Sequence, residues 1–204
     1  MSSTLMIKVG GVAAVLAGSL RILSDSYEMV FGVVTPGSTG DTVTSAAHAA
    51  HLPLLVFAII WVHLHQQRTF DAFGQVCTLL AIFGMMFLFG GAWAQSFLLP
   101  GLRAEGSTMV DEPDALALVG FLAGTGFFIL GLLLWAVTIL RARVLPAWPA
   151  VLLIVGMLGG LALKSVFDGA LLPLNAAIVC IGVATLSRLG HVKSAPSEPV
   201  TAPV

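Results

Sequence analysis

The sequence predicts an all-α protein, an integral membrane bundle of six transmembrane helices, from three observations. Of its 204 residues, 58% are hydrophobic and only 9% are charged, whereas a soluble domain carries about 25% charged residues. The mean hydropathy is +1.02. Six apolar runs approach the length of about 20 residues that a helix needs to cross a bilayer, and they lack the two-residue alternation of β-strands.

The first run has two interpretations. "KVGGVAAVLAGSLRILSDS" has a basic start and small residues near position 18, which also describes a cleaved signal peptide over residues 1–19. We favour a retained helix, because apolar residues extend past both Lys8 and Arg21. Cleavage would leave five spans. The six predicted spans are residues 5–24, 46–65, 75–99, 115–140, 148–167 and 170–187.

The segments between the spans predict a single transmembrane domain over residues 1–190. The loop at about 25–45 contains "VVTPGSTGDT", which is typical of turns. Acidic residues around Pro113 resemble the cap and first turn of the fourth span. The end of the chain, 191–204, is rich in proline and serine, and we expect a disordered cytoplasmic tail.

The distribution of lysine and arginine predicts a plasma (inner) membrane protein with both termini in the cytoplasm, because basic residues concentrate on the inner side. Three basic residues fall on the predicted outer side, namely Arg21, Arg103 and Lys164. Six fall on the inner side, namely Lys8, Arg68, Arg141, Arg143, Arg188 and Lys193. Most of the acidic residues lie outside, which predicts an acidic outer rim.

Composition also excludes some classes of function. Nine basic against ten acidic residues leave no basic surface for nucleic acid. The two cysteines, Cys77 and Cys180, lie in apolar runs without the spacing of a zinc or redox motif. Membrane lipids are the expected surroundings, and a membrane-protein partner or a second copy is a possible neighbour. Two small-xxx-small pairs, Gly120/Gly124 and Gly156/Gly160, are typical either of packing within the chain or of a homodimer face.

The second span, "SAAHAAHLPLLVFAIIWVHLHQQR", carries a pair of histidines at each end, His48/His51 and His63/His65. Pro53 predicts a bend beside the outer pair. Ionisable groups inside a membrane bundle are candidates for function. The candidate ligand-binding residues at the outer end are Arg21, Tyr27, His48, His51, Gln95, Lys164 and Asp168. The alternative is that these side chains reach the outer interface and pair, Arg21 with Asp25 and Lys164 with Asp168.

Several functions remain compatible with this pattern. The first is a non-catalytic accessory or assembly subunit, or a binder of a lipid-like molecule, with no resident cofactor or metal. The second is a membrane-embedded enzyme that acts on a lipid or isoprenoid, with His48, His51 and Asp168 as catalytic candidates and Lys164 as an electrostatic partner. Zinc would require a third ligand. Haem would require His51 and His65, fourteen residues apart, to face the same pair of a second copy.

The stretch "LLLWAVTILRARVLPAWPAVLLIVG" joins the fourth and fifth spans through a short basic turn. It resembles a stretch of small, uncharacterised polytopic membrane proteins of high-GC bacteria such as actinobacteria, in which an apolar helix ends in arginine and Leu-Pro-x-Trp begins the next. The likeness covers about 25 residues. It implies a bacterial plasma membrane and no particular chemistry.

Overall fold

A computed structural model describes residues 3–31, 38–67, 69, 71–105, 115–163 and 171–193, and these ranges are almost entirely helical. The third helix continues through a five-residue π-helix, Ala94–Leu98, into a short helix. The α-helices are α1 (Ser3–Phe31), α2 (Thr39–Gln66), α3 (Ala72–Trp93), α4 (Leu99–Ala104), α5 (Ala115–Ala142), α6 (Ala147–Leu163) and α7 (Leu172–Lys193). Helix α7 therefore extends three residues into the predicted tail, and 194–204 lie outside the described residues.

The six long helices form a closed ring in chain order. Helix α1 packs on α2, α2 on α3, α3 on α5, α5 on α6, α6 on α7, and α7 returns to α1. The α1–α7 pair is antiparallel: a Cβ at Gly11 would lie 2.6 Å from Leu186 Cγ, and one at Gly18 would lie 2.7 Å from the carbonyl oxygen of Asn175. The ring encloses a core that includes Leu52, Trp135 and Leu153.

Close backbone approach explains the positions of several glycines in the ring. A Cβ at Gly131 would lie 2.6 Å from Ala81 Cα, and one at Gly84 would overlap the backbone at Phe128, so α3 and α5 touch through glycine. A Cβ at Gly156 would overlap the backbone nitrogen of Leu174 on α7. Without a hydrophobic force between helices in lipid, such contacts supply the packing.

The small-xxx-small pairs are used unequally within the chain. Gly156 packs against α7, and a Cβ at Gly124 would lie 3.1 Å from Phe87 Cβ on α3. Gly160 is buried. A Cβ at Gly120 meets no atom of the described residues within 4 Å. Three of the four glycines therefore lie against or inside the bundle, and a homodimer through either pair stays a prediction.

The outward surface of the ring is apolar on every long helix. One large side chain from each is between 48% and 62% exposed, namely Leu16, Phe57, Val76, Leu122, Val155 and Val183. Four helical stretches in the described residues are long and apolar enough to cross a membrane, namely Leu5–Phe31, Thr39–Gln66, Ala72–Leu102 and Leu118–Ala142. Helix α6 and the apolar part of α7 are shorter. The four long apolar stretches support the prediction of an all-helical membrane protein.

The predicted loop at about 25–45 is wrong over much of its length. Helix α1 continues to Phe31, and α2 already begins at Thr39. Ser38 caps α2, since its side chain accepts a hydrogen bond from the backbone N–H of Asp41 at 3.2 Å. Polar residues where the predicted span ends and the extension of α1 begins face the interior: Ser24 and Asp25 are both 4% exposed. The first apolar run ends near residue 24, but helix α1 continues to Phe31.

The opposite end of the ring holds the α2–α3 and α5–α6 connections together. Arg141, near the end of α5, donates to the carboxylate of Asp71 at 3.0 Å and lies over the ring of Phe73. Arg143 ends α5 in a left-handed conformation with φ 54°. The two connections predicted to be cytoplasmic therefore share one end of the bundle.

Candidate functional site

A cavity of about 520 Å³ lies inside the ring at the end where α1 finishes and α2 begins. Side chains from all six long helices line it. Along α2 it extends from Asp41 to Leu52, which is about 16 Å at 1.5 Å per residue. Its floor is apolar, since Leu52 and Met157 are each 1% exposed. The cavity is thus polar near its rim and apolar at its base.

A line of buried charge runs along one wall. Arg21 forms an ion pair with Asp25 one turn later, at 2.9 Å, with the two side chains 16% and 4% exposed. Asn175 on α7 donates its amide to the other oxygen of Asp25 at 2.8 Å. Arg21 also donates to the ring of His48 on α2. The carboxylate therefore neutralises the guanidinium, and together they join α1, α2 and α7.

The hydrogen bonds fix the tautomers of the two outer histidines. A guanidinium can only donate, so the Nδ1 atom of His48 accepts from Arg21 and its proton resides on Nε2. A carbonyl can only accept, so the Nδ1 atom of His51 donates to the His48 carbonyl at 2.7 Å. In the neutral ring, Nε2 of His51 is then an acceptor. The two rings lie 5.0 Å apart between centroids and both line the cavity.

Local backbone structure places these groups. Helix α2 continues through Pro53 to Gln66, so the proline does not end the helix. On the facing wall, the π-helix Ala94–Leu98 carries Gln95 and Ser96, both of which line the cavity. Single turns of π-helix inside α-helices occur frequently at functional sites.

Thr125 on α5 supplies a hydroxyl with no partner. It lines the cavity, and its Oγ1 is enclosed without a hydrogen-bond partner in the described part of the chain. A buried hydroxyl without a partner costs about 1–3 kcal/mol. A molecule bound in the cavity that formed a hydrogen bond with this oxygen would remove that cost.

The structure brings together four of the seven predicted ligand-binding residues, since Arg21, His48, His51 and Gln95 all line the cavity. Tyr27 does not: it is 39% exposed and its ring packs on Phe31 with centroids 4.6 Å apart. Helix α1 turns this side chain away from the cavity. The two remaining residues, Lys164 and Asp168, lie outside the described residues.

The alternative was that these side chains reach the outer interface and pair there. Arg21 and Asp25 do pair, but they face the interior of the ring instead of reaching the outer interface. Sequence reasoning also missed Asn175 and Thr125. Asn175 could have been recognised in the sequence, because a lone amide in an apolar span is a candidate functional group. Thr125 could not, because threonine is common in membrane helices.

The described residues contain no group of three His, Cys, Asp or Glu side chains placed to hold a metal ion. His51 is 6% exposed and lines the cavity, so its ring does not face a second copy as the haem hypothesis requires. His63, near the other end of α2, bonds Thr78 of α3 at 3.0 Å. The inner and outer pairs therefore occupy different surroundings.

Comparison with known proteins identifies no relative. No protein-family model, no curated protein and no solved structure matches this chain. The function has to be argued from the cavity itself.

Proposed function

We propose that this chain is a multi-pass protein of a bacterial plasma membrane that binds a lipid-like molecule in the cavity inside its helix ring. The observation that carries the proposal is the lining. Imidazole, amide and hydroxyl groups line its wall below the rim carboxylates of Glu28 and Asp41, and Leu52 and Met157 form the base. An amphiphile has the same division between a polar head and an apolar chain.

The volume supports a small molecule of this kind. Binding cavities for small molecules measure about 300–1,000 Å³ and place a few polar groups in a mostly apolar lining, and this one measures about 520 Å³. His51 presents an acceptor at Nε2 to the cavity. A head group that donates a hydrogen bond, such as a hydroxyl, would satisfy it.

The six-span arrangement with the cavity on the outer side belongs to this proposal. Arg141 and Arg143 lie at the end opposite the cavity, and clusters of basic residues favour the cytoplasmic side. The cavity then opens toward the exterior. A non-catalytic binding or accessory role is part of the same proposal.

A second candidate is a membrane-embedded enzyme acting on the bound lipid or isoprenoid. The observation that favours it is the pair of imidazoles with complementary tautomers at one cavity wall. His51 would accept a proton at Nε2 as a general base, and the neutral ring of His48 would orient the substrate by hydrogen bonding without giving up its proton. Chromatography with mass spectrometry of lipids before and after incubation with the protein tests it, because a reaction product differs from its substrate in mass or, for an isomer, in retention.

Lipid extraction tests the binding function. The protein is purified in a mild detergent, and the bound lipids are extracted and quantified by mass spectrometry. We compare the wild type with His48→Leu/His51→Leu, which removes both hydrogen-bonding rings, and use His63→Leu as the matched control, since His63 lies on α2 away from the cavity. The loss of two hydrogen bonds of about 1 kcal/mol each predicts about 30-fold weaker retention in the double variant.

The control should retain lipid as the wild type does. Monodisperse elution of all three proteins excludes unfolding as the cause of a loss. A wild type without an enriched amphiphile, or a double variant that retains it equally, would contradict the proposed function.

A further inference from the structure

A second space of about 250 Å³ lies between α3 and α5. It adjoins the cavity, because the two share lining residues that include His48, Gln95 and Phe121. Its remaining wall contains three glycines, Gly91, Gly120 and Gly124. We refer to the space lined by these six residues as the α3–α5 crevice.

The crevice reaches the outer surface of the ring. Gly91 and Gly120 are exposed, and a Cβ at either meets no described atom within 4 Å. Phe121, which shares the wall, is 56% exposed. In a bilayer this exposure is toward lipid, since α3 and α5 carry large apolar side chains outward. The crevice therefore extends from the acyl chains to His48.

From this we infer that a single-chain amphiphile with an uncharged, hydrogen-bonding head enters the cavity laterally from the bilayer through the α3–α5 crevice. The head lies beside His48 and His51, and the chain trails through the crevice between the glycines. The inference rests on the proposed binding function and adds the route and the class of ligand.

The charges of the cavity select an uncharged head. Among the described residues, the charges at the depth of the imidazoles are those of Arg21 and Asp25, which neutralise each other at 2.9 Å. Arg21 is further engaged by His48. Nearer the rim, Glu28 lines the wall and opposes the approach of an anion. A phosphate or carboxylate head would thus find no unneutralised cation among the described residues that line the cavity.

The volume selects a single chain. A water molecule occupies about 30 Å³ in the liquid, and a methylene group is of similar size. The 250 Å³ crevice therefore accommodates about eight such groups. This is part of one fatty chain and too little for two chains side by side. The glycines matter because each larger side chain would occupy some of this space.

Two pairs of substitutions test the route. Gly91→Leu and Gly120→Leu fill the crevice, while Gly90→Leu and Gly126→Leu place the same side chain on the same helices outside it. A Cβ at each of these four positions meets no described atom within 4 Å, so all four proteins should fold. Monodisperse elution and unchanged helical circular dichroism verify this.

The probe is a monoacylglycerol that carries a diazirine in its chain, added to proteoliposomes and crosslinked by light. We expect the yield of labelled protein to fall about tenfold or more in Gly91→Leu and Gly120→Leu, because the leucine side chain occupies the space that the acyl chain of the probe needs. Gly90→Leu and Gly126→Leu should label as the wild type does.

Competitors test the ligand class. Unlabelled monooleoylglycerol should reduce labelling, while oleate, oleylamine and dioleoylglycerol at the same concentration should not. Stronger competition by oleate or oleylamine would contradict the inference that the head is uncharged. Equal competition by dioleoylglycerol would contradict the inference that the ligand has a single chain.

Different labelling results would contradict the lateral route and the binding function. If His48→Leu/His51→Leu abolishes labelling while the two crevice variants label normally, the lateral route is wrong and the binding function stands. If the wild type labels no more than the double histidine variant, the binding function fails and the route fails with it.

Discussion

Replacing Thr125 by valine should stabilise the ligand-free protein and weaken its hold on a ligand. The Oγ1 atom of Thr125 has no partner in the described residues, and an unsatisfied buried hydroxyl costs about 1–3 kcal/mol. Valine has nearly the same shape, so the free energy of unfolding should rise by about 1 kcal/mol or more. Affinity for monooleoylglycerol should fall about fivefold, the equivalent of one hydrogen bond of about 1 kcal/mol.

The assay is reversible unfolding by sodium dodecyl sulfate in delipidated mixed micelles, followed by tryptophan fluorescence. Thr138→Val is the matched control on α5, since the Thr138 hydroxyl is 2% exposed and donates to the Trp135 carbonyl at 2.7 Å. That variant should lose about 0.5–1.5 kcal/mol. Shifts of the same sign in both variants would refute the reasoning, because Thr125 would then have a partner within the protein.

Three further predictions use the same unfolding assay. Asn175→Leu removes the 2.8 Å hydrogen bond to the buried Asp25 carboxylate and should cost about 1.5–3 kcal/mol; an unchanged stability would show that the bond contributes nothing. Gly156→Ala forces a Cβ into the α7 backbone and should cost about 1–3 kcal/mol, whereas Gly159→Ala, which meets no described atom within 4 Å, should be neutral or stabilising. Arg143→Gly should stabilise by about 1 kcal/mol, because φ is 54° and glycine adopts this region without strain; destabilisation would contradict it.

The helices were predictable because apolar runs of membrane length leave few alternatives. All six predicted spans overlap a long helix of the structure. Their polar ends were not predictable from hydropathy. Ser24 and Asp25 end the apolar run of α1 but face the ring interior, and "STGDT" contains the cap of α2 although it resembles a turn.

The site was predictable only in part. Histidines and an arginine near the ends of apolar spans are visible in the sequence, and the structure places His48, His51 and Arg21 at one cavity. Which face of α1 turns inward depends on packing against α2 and α7. Hydropathy does not encode this, so Tyr27 was assigned to the site and Asn175 was missed.

The glycines show the same limit of prediction from the sequence. Gly120 and Gly124 form one motif in the sequence, yet Gly124 lies against Phe87 and a Cβ at Gly120 meets no described atom within 4 Å. Spacing indicates that a helix can approach a neighbour closely. It does not indicate whether the space is filled by a helix, by a second copy or by a ligand.

Accessibility of one cavity residue in intact cells tests the central claim most directly. Ser45 lines the cavity, so Ser45→Cys is made in a background with Cys77→Ala and Cys180→Ala. The rate of labelling by a membrane-impermeant maleimide is measured with and without monooleoylglycerol. We predict labelling from outside that slows when monooleoylglycerol is added. Labelling only after the cells are opened, or at a rate that monooleoylglycerol leaves unchanged, would contradict an outward-facing cavity that binds an amphiphile.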